Sequence, residues 1–522
     1  MRYRWMILIV LLGASLVVPA APVVAAGPSL TWVDCGGGFQ CATLDVPTDY
    51  AHPSAGTTQI GLIRRPASDP SRRIGSLFTN PGGPGGSGVA FVRGASQFVF
   101  SEEVRARFDI VGFDPRGVNT SGALFCFASA AEQDAFWGDI ATVPVTLEQE
   151  RQLIAKTAEY TRLCGQRNGD RLRFMSTVDV ARDLDRMREA VGDRGLTYVG
   201  YSYGSYLGEV YANLFPNRVR ALVLDGVLDP ETWANQSTRM LHDAAFGGEE
   251  SLDAFSGACA AAGDACAFAS GDNAAQIRRR VDALHSRIAR APLPAPNADP
   301  PGVLTFDLAD NAFLLNMYDS SFWPMFAAGL AQAEGGDGSI LLDFIRQFLV
   351  PPDVNDNGLD LWSGVFCTDG TFPRNGNLWP ALVRISELRA PIFTRNWFYF
   401  TVSCATWPAT APERYDGPWD RRTAAPILLV NTVADPATAY AGAVRAQQRL
   451  RDARLVTIDG WGHTSLGDIS TCAQQVIDRY ILDRVAPRNG LHCAPDSGPF
   501  DDLAAAAAQR PSAVPWLLPP LR

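Results

Sequence analysis

The chain has 522 residues, 47% of them hydrophobic and 19% charged, a composition that excludes disordered, fibrous and collagen-like proteins. Its 45 basic and 55 acidic side chains give a net charge of −10, and without a basic cluster or arm there is no electrostatic footprint for nucleic acid or an anionic membrane. The length allows about three domains, or one large α/β domain carrying an insertion.

Residues 1–5 (MRYRW) hold two arginines, residues 6–18 are apolar, and Val24-Ala25-Ala26 supplies small residues for a cleavage site. Residues 1–26 therefore read as a secretory signal peptide, its apolar core being shorter than the ~20 residues that span a bilayer. The expected address is secreted or periplasmic, with no membrane insertion after cleavage. Ten cysteines agree, because an even count in an exported chain reads as disulfides, and no C-x-x-C suggests a zinc site. Sequence alone does not select a pairing; nearest neighbours in chain order would join Cys35 to Cys41, Cys126 to Cys164, Cys259 to Cys266, Cys367 to Cys404 and Cys472 to Cys493.

In chain order, strands are expected at 58–65, 75–80 and 108–113 with a helix at 87–99 between the last two. Helices at 147–167 and 176–191, a strand at 196–201, a helix at 203–214 and a strand at 218–225 follow. Strands alternating with helices imply a parallel sheet with crossovers. From about 230 to 422 the pattern changes to helical windows, at 239–261, 274–290, 306–332 and 338–349, separated by Pro/Asn/Asp/Gly stretches. The alternation then returns with strands at 426–431 and 454–458 and helices at 439–450 and 470–484. One interrupted sheet accounts for this: a core in two parts, 27–229 and 423–499, a helical cap at 230–422, and a flexible Ala- and Pro-rich tail at 500–522.

The strongest chemical signal is GYSYG at 200–204, between the apolar run LTYV and a helical stretch. In that strand-turn-helix setting G-x-S-x-G exposes a serine, here Ser202, at the C-terminal edge of a sheet as a nucleophile. Its partners should follow in the order acid, then histidine. Of five histidines, His463 in GWGHTS directly follows a strand, whereas His52 precedes the first sheet strands, His242 and His285 lie in cap windows and His492 adjoins Cys493. Asp435 in NTVADPAT follows strand 426–431 at the same edge and would orient the imidazole. An oxyanion needs backbone N–H donors; NPGGPGGSG at 80–88 suggests Gly83, and the residue after the nucleophile suggests Tyr203. Gly83, Gly85 and Gly88 also spell G-x-G-x-x-G, yet the next strand-end acid, Asp114, is too distant in sequence, Pro84 stiffens the turn, and dinucleotide binding would leave Ser202, Asp435 and His463 unexplained. No metal or organic cofactor is implied.

With these motifs placed, the sequence resembles the α/β-hydrolases, and more narrowly the secreted bacterial tripeptidyl aminopeptidases of the proline-iminopeptidase type. The resemblance covers nearly the whole mature chain and rests on NPGGPGGSG (80–88), GFDPRG (112–117), GYSYGSYLG (200–208), LVLDGVLDP (222–230), VFCTDG (365–370) and PILLVNTVADPAT followed by GWGH. It implies Ser202, Asp435 and His463 as triad, an oxyanion donor from the GGPG turn and a helical cap over the site. Proline iminopeptidases carry HGGPG where this chain has Pro81, which favours the tripeptidyl group. Asp114 and Arg116 of GFDPRG would shape the sheet edge or form a structural ion pair.

An exopeptidase must also hold the free ammonium of its peptide substrate, and desolvating that cation unpaired is costly. Asp229, Glu231 and Asp369 are the candidates, and Phe322, Trp323, Trp397 and Phe398 could line subsites. The expected activity is release of short peptides, tripeptides first, through an acyl-enzyme. A carboxylesterase or lipase could use the same machinery, and a silent surface binding protein would be expected to have lost part of the triad. Oligomeric state is not legible.

Overall fold

The computed structural model describes residues 30–138, 140–351, 354–467 and 470–501; the signal peptide read at 1–26 and all but the first residues of the tail read at 500–522 lie outside them. The strands are β1 Val33–Asp34, β2 Gln40–Pro47, β3 Thr57–Arg65, β4 Gly75–Asn80, β5 Phe108–Phe113, β6 Leu196–Tyr201, β7 Val219–Asp225, β8 Leu293–Ala295, β9 Gly302–Leu304, β10 Ile427–Ala434, β11 Ala453–Trp461 and β12 Leu491–Cys493. All but the β8–β9 hairpin join one sheet, in the order β1-β2-β3-β5-β4-β6-β7-β10-β11-β12. Pairings from β1 to β5 are antiparallel, and those from β5 to β12 are parallel.

Sequence explains the centre of this sheet. GSLFTN, FDIVGF and LTYVGY, which form β4, β5 and β6, are buried at every position, as parallel strands covered on both faces must be. On one face the helix Gly88–Val99 buries Phe91, Val92, Ala95 and Val99 against Leu77, Val199, Val223 and Val456. On the other, the helices Thr177–Ala190 and Tyr203–Leu214 pack with Phe78, Val111, Tyr198 and Leu429. From β4 the chain moves to β5 on one side and to β6 on the other. The crevice at such a reversal of strand order lies beyond the carboxyl ends of the strands and is where open α/β sheets bind ligands.

Between β7 and β10 lie helices including Ser237–Ala262, Ala274–Arg290, Phe306–Tyr318, Trp323–Glu334, Ser339–Arg346, Gly358–Asp369, Trp379–Ser386 and Thr394–Phe400. Several share a core of their own, with Leu252, Phe255, Ile277, Phe313, Phe326 and Leu341. The single helix expected at 306–332 is two: the Asp319 side chain caps a short turn at Ser321 and Pro324 opens the next helix. The helix Gly358–Asp369 was not expected, because all its residues except Leu359 are buried and a helix buried all round shows no amphipathic period.

The five nearest-neighbour disulfides are all formed, leaving no free cysteine. No helix among the described residues is long and apolar enough to cross a membrane. In GFDPRG, Asp114 accepts the Ser87 hydroxyl at 2.5 Å, tying the end of β5 to the start of the helix Gly88–Val99. Arg116 makes a buried two-point ion pair with Asp183, at 2.8 and 2.7 Å, and so braces the core.

Candidate active site

Ser202 sits between β6 and the helix Tyr203–Leu214 with φ 55° and ψ −123°, a backbone region that a residue with a side chain rarely occupies. The flanking glycines make the turn possible by close approach. A Cβ on Gly200 would lie 2.2 Å from the Gly204 carbonyl oxygen, and one on Gly204 would lie 2.7 Å from that of Asn80. The Ser202 N–H donates to the Asp225 carbonyl at 2.8 Å, which ties the elbow to the end of β7. The turn after β4 lies on top of it: a Cβ on Gly82 would come within 2.8 Å of the Ser202 Cβ and 3.1 Å of the Tyr203 nitrogen. Tyr203 heads its helix, where backbone N–H groups lack intrahelical acceptors, and Gly83, Ser202 and Tyr203 line one cavity.

His463 and Asp435 lie at the same edge, in the loops after β11 and β10. The His463 Nδ1 is 2.9 and 3.0 Å from the two Asp435 carboxylate oxygens, and both side chains are buried. Facing an acceptor-only group fixes the proton on Nδ1 and leaves Nε2 as the basic nitrogen. The carboxylate also accepts from the Ala437 and Thr438 backbone N–H groups at 2.9 and 2.7 Å and from the Thr438 hydroxyl at 2.8 Å. A Cβ on Gly226, next to the Asp225 that anchors Ser202, would lie 3.3 Å from the His463 Cε1, so histidine and serine share one corner of the sheet. The His463 N–H donates to the Tyr318 carbonyl at 2.8 Å and the two rings meet edge to face at 5.0 Å, so the helical block touches the histidine directly.

Two positioning groups had no assigned role in the sequence reading. Asp225, buried, accepts from the Ser465 backbone at 2.8 Å and from its hydroxyl, holding the histidine loop to the end of β7; burial pushes its carboxyl up to about 6. Thr438 contacts Asp435 and lies 3.4 Å from the His463 Nδ1. The motif LVLDG contained the first, but nothing in a linear pattern showed which loop its carboxylate would face.

The carboxylates expected to receive an ammonium are placed otherwise. None of Asp229, Glu231 and Asp369 lines the cavity at Ser202. Asp229 caps the helix Pro230–Asn235 and pairs with Arg445 at 2.6 Å and Arg449 at 3.2 Å, so its charge is already met. Glu231 accepts from Asn235 at 3.1 Å. Asp369 is fully buried, accepts from the Thr177 N–H at 2.8 Å, its hydroxyl at 2.5 Å and the Trp233 Nε1–H at 3.4 Å, and is pushed up to about 7 by burial. Thr177 in turn meets the Tyr203 hydroxyl at 2.6 Å, so Asp369 braces two cavity-wall aromatics from behind. Of the expected subsite aromatics, Trp397 lines the cavity, whereas Trp323 and Phe398 are core residues and Phe322 packs against Phe344 and Phe348. Cys126, Cys164 and Asp360 come close enough to suggest a metal, but the sulfurs form a disulfide and the carboxylate accepts from the Cys126 N–H and Tyr160 hydroxyl.

Comparison with known proteins shows the family. A family described as the alpha/beta hydrolase fold matches residues 76–264, and one described as TAP-like protein matches residues 390–493. A tripeptidyl aminopeptidase of Streptomyces coelicolor is 32% identical over 91% of this chain and 88% of its own. The chain belongs to the tripeptidyl aminopeptidase-like family of α/β-hydrolases. Within this family, the serine protease Hip1 of Mycobacterium tuberculosis is 30% identical over 90% of this chain and 91% of its own. A carboxylesterase B of the same organism is 32% identical over 91% and 92%.

Proposed function

We propose that the protein is an exported serine exopeptidase that releases short peptides, tripeptides foremost, from the free amino termini of peptide substrates. The observation that carries this reading is the strained Ser202 elbow sharing one corner of the sheet with the buried His463–Asp435 pair, beneath the Gly82–Gly83 turn. In this mechanism the His463 Nε2 takes the Ser202 proton as Oγ attacks the scissile carbonyl, and Asp435 stabilises the imidazolium that forms. The N–H groups of Gly83 and Tyr203 receive the oxyanion, a contribution of roughly 3–4 kcal/mol for a well-placed donor. His463 returns the proton to the leaving amine, and water repeats the sequence on the Ser202 ester. The names of the tripeptidyl aminopeptidase and Hip1 relatives support the peptidase assignment. The apolar N-terminal segment and the five disulfides support an oxidising, extracytoplasmic location.

The carboxylesterase B relative favours a second reading, ester hydrolysis with the same residues. Turnover of a tripeptide-chromophore amide, its N-acetylated twin and a p-nitrophenyl ester separates the two. Cleavage of the free-amine amide in a single three-residue step supports the exopeptidase, and ester cleavage with both amides untouched overturns it.

A further inference from the structure

The cavity at Ser202 measures about 90 Å³, small beside the several hundred ångström cubed typical of ligand sites. A second cavity of about 390 Å³ adjoins it, and Asn311, Asn396 and Phe400 line both. An acyl segment several residues long, attached at Ser202, exceeds the smaller cavity, and a path from there into the larger space would take it past these three residues. They form the neck that its main chain would cross.

The amide of Asn396 is held in one orientation there. Its Nδ2 donates to the Asp310 Oδ2 at 3.1 Å and to the Asn311 Oδ1 at 2.9 Å, two acceptors that define which end is nitrogen. The other oxygen of the fully buried Asp310 takes the His285 Nε2 at 2.9 Å, and Phe306 and Phe313 pack on that imidazole. Asn311 spends its own Nδ2 on the Asp307 carbonyl at 2.9 Å. With both its donors engaged by the helical block, Asn396 is left with one group at the neck, the acceptor Oδ1, to which no hydrogen bond runs among the described residues.

We infer that Asn396 is a specificity-determining residue whose Oδ1 accepts an N–H of the acyl segment as the peptide passes from one cavity to the other, with Asp310 and His285 as the positioning pair behind it. This deepens the exopeptidase reading and rests on it. An acceptor held by a buried carboxylate selects a peptide main chain over a plain acyl chain, which offers no N–H and would leave the amide oxygen unpaired. The N–H belongs either to the free ammonium or to an internal peptide unit.

Binding of tri-alanine amide to Ser202→Ala, compared with Ser202→Ala/Asn396→Ala and Ser202→Ala/Asn396→Leu, tests the assignment without turnover. Both double variants should raise Kd by about fivefold or more, the loss of one hydrogen bond; both also take a donor from the buried Asp310, so their melting temperatures should fall together below that of Ser202→Ala, and Leu keeps the side-chain volume in case Ala loosens the neck. Propionyl-Ala-Ala-amide, which lacks the amino group, distinguishes the sources: a rise confined to tri-alanine amide assigns the ammonium, and a rise for both ligands assigns a peptide N–H. Unchanged Kd for both ligands in a protein whose wild type releases tripeptides overturns the inference alone. A wild type that cleaves no tripeptide amide overturns the reading beneath it as well.

Discussion

Replacing Asp369 with asparagine removes a carboxyl that the fold keeps from water and surrounds with the neutral donors Thr177 and Trp233. Burial raises its pKa from the ordinary 3.8 to about 7, so the folded state binds this proton more tightly than the unfolded chain does. Stability from this group is therefore fully present below pH 3.8 and declines as pH rises towards 7, because the unfolded state ionises first. Between pH 5 and pH 8 the two-pKa linkage relation gives a loss of about 2–3 kcal/mol in the native protein that Asp369→Asn does not share. Burial also raises Asp179 and Asp225 to about 6, so the difference between wild type and variant, not the wild-type curve, isolates Asp369. Urea unfolding at pH 5, 6.5 and 8 measures it; the wild type should lose stability relative to the variant by that amount across the series. A difference that stays constant with pH would refute the argument that a desolvated carboxyl sits behind Tyr203 and Trp233.

Other perturbations have equally definite outcomes. Arg116→Met leaves the buried Asp183 without its guanidinium and should cost about 3–5 kcal/mol in urea unfolding at pH 7. Thr438→Val keeps volume but removes the hydroxyl donated to Asp435; kcat/KM should fall about 10- to 100-fold, as for a hydrogen bond to a charged group, while the melting temperature moves little. Gly82→Ala places a Cβ 2.5 Å from the Tyr201 carbonyl and 2.8 Å from the Ser202 Cβ at φ +100°. It should displace the turn over the nucleophile and reduce p-nitrophenyl ester turnover by about 100-fold or more, the range set by oxyanion donors.

Elements whose physics is local were legible in the sequence. The alternation of mostly apolar strand runs with helical patterns announced a parallel sheet, and the glycines around Ser202 announced a tight turn. His463 and Asp435 could be placed because each follows a strand of the same parallel sheet, whose carboxyl ends share one edge. The helix Gly358–Asp369 was hidden because burial on all sides erases the helical period. The break at Asp319 was hidden because a single capping side chain and Pro324, not a glycine-rich linker, divide an otherwise continuous apolar pattern. Asp229 was misread for a different reason. Its partners Arg445 and Arg449 lie more than two hundred residues away in the chain, and a carboxylate that looks free in one dimension is paired in three. Asn396 gave no signal at all, since its meaning depends on Asp310 and Asn311 across the helical block.

The proposed mechanism makes Ser202 a nucleophile activated by His463. Incubation with an organophosphonyl fluoride followed by peptide mass mapping addresses it directly, using the wild type, Ser202→Ala and a correctly folded His463→Ala. One adduct is expected, on the peptide containing Ser202, absent from Ser202→Ala and slowed by orders of magnitude in His463→Ala. An adduct on another residue, or labelling of Ser202 at an undiminished rate without His463, would contradict it.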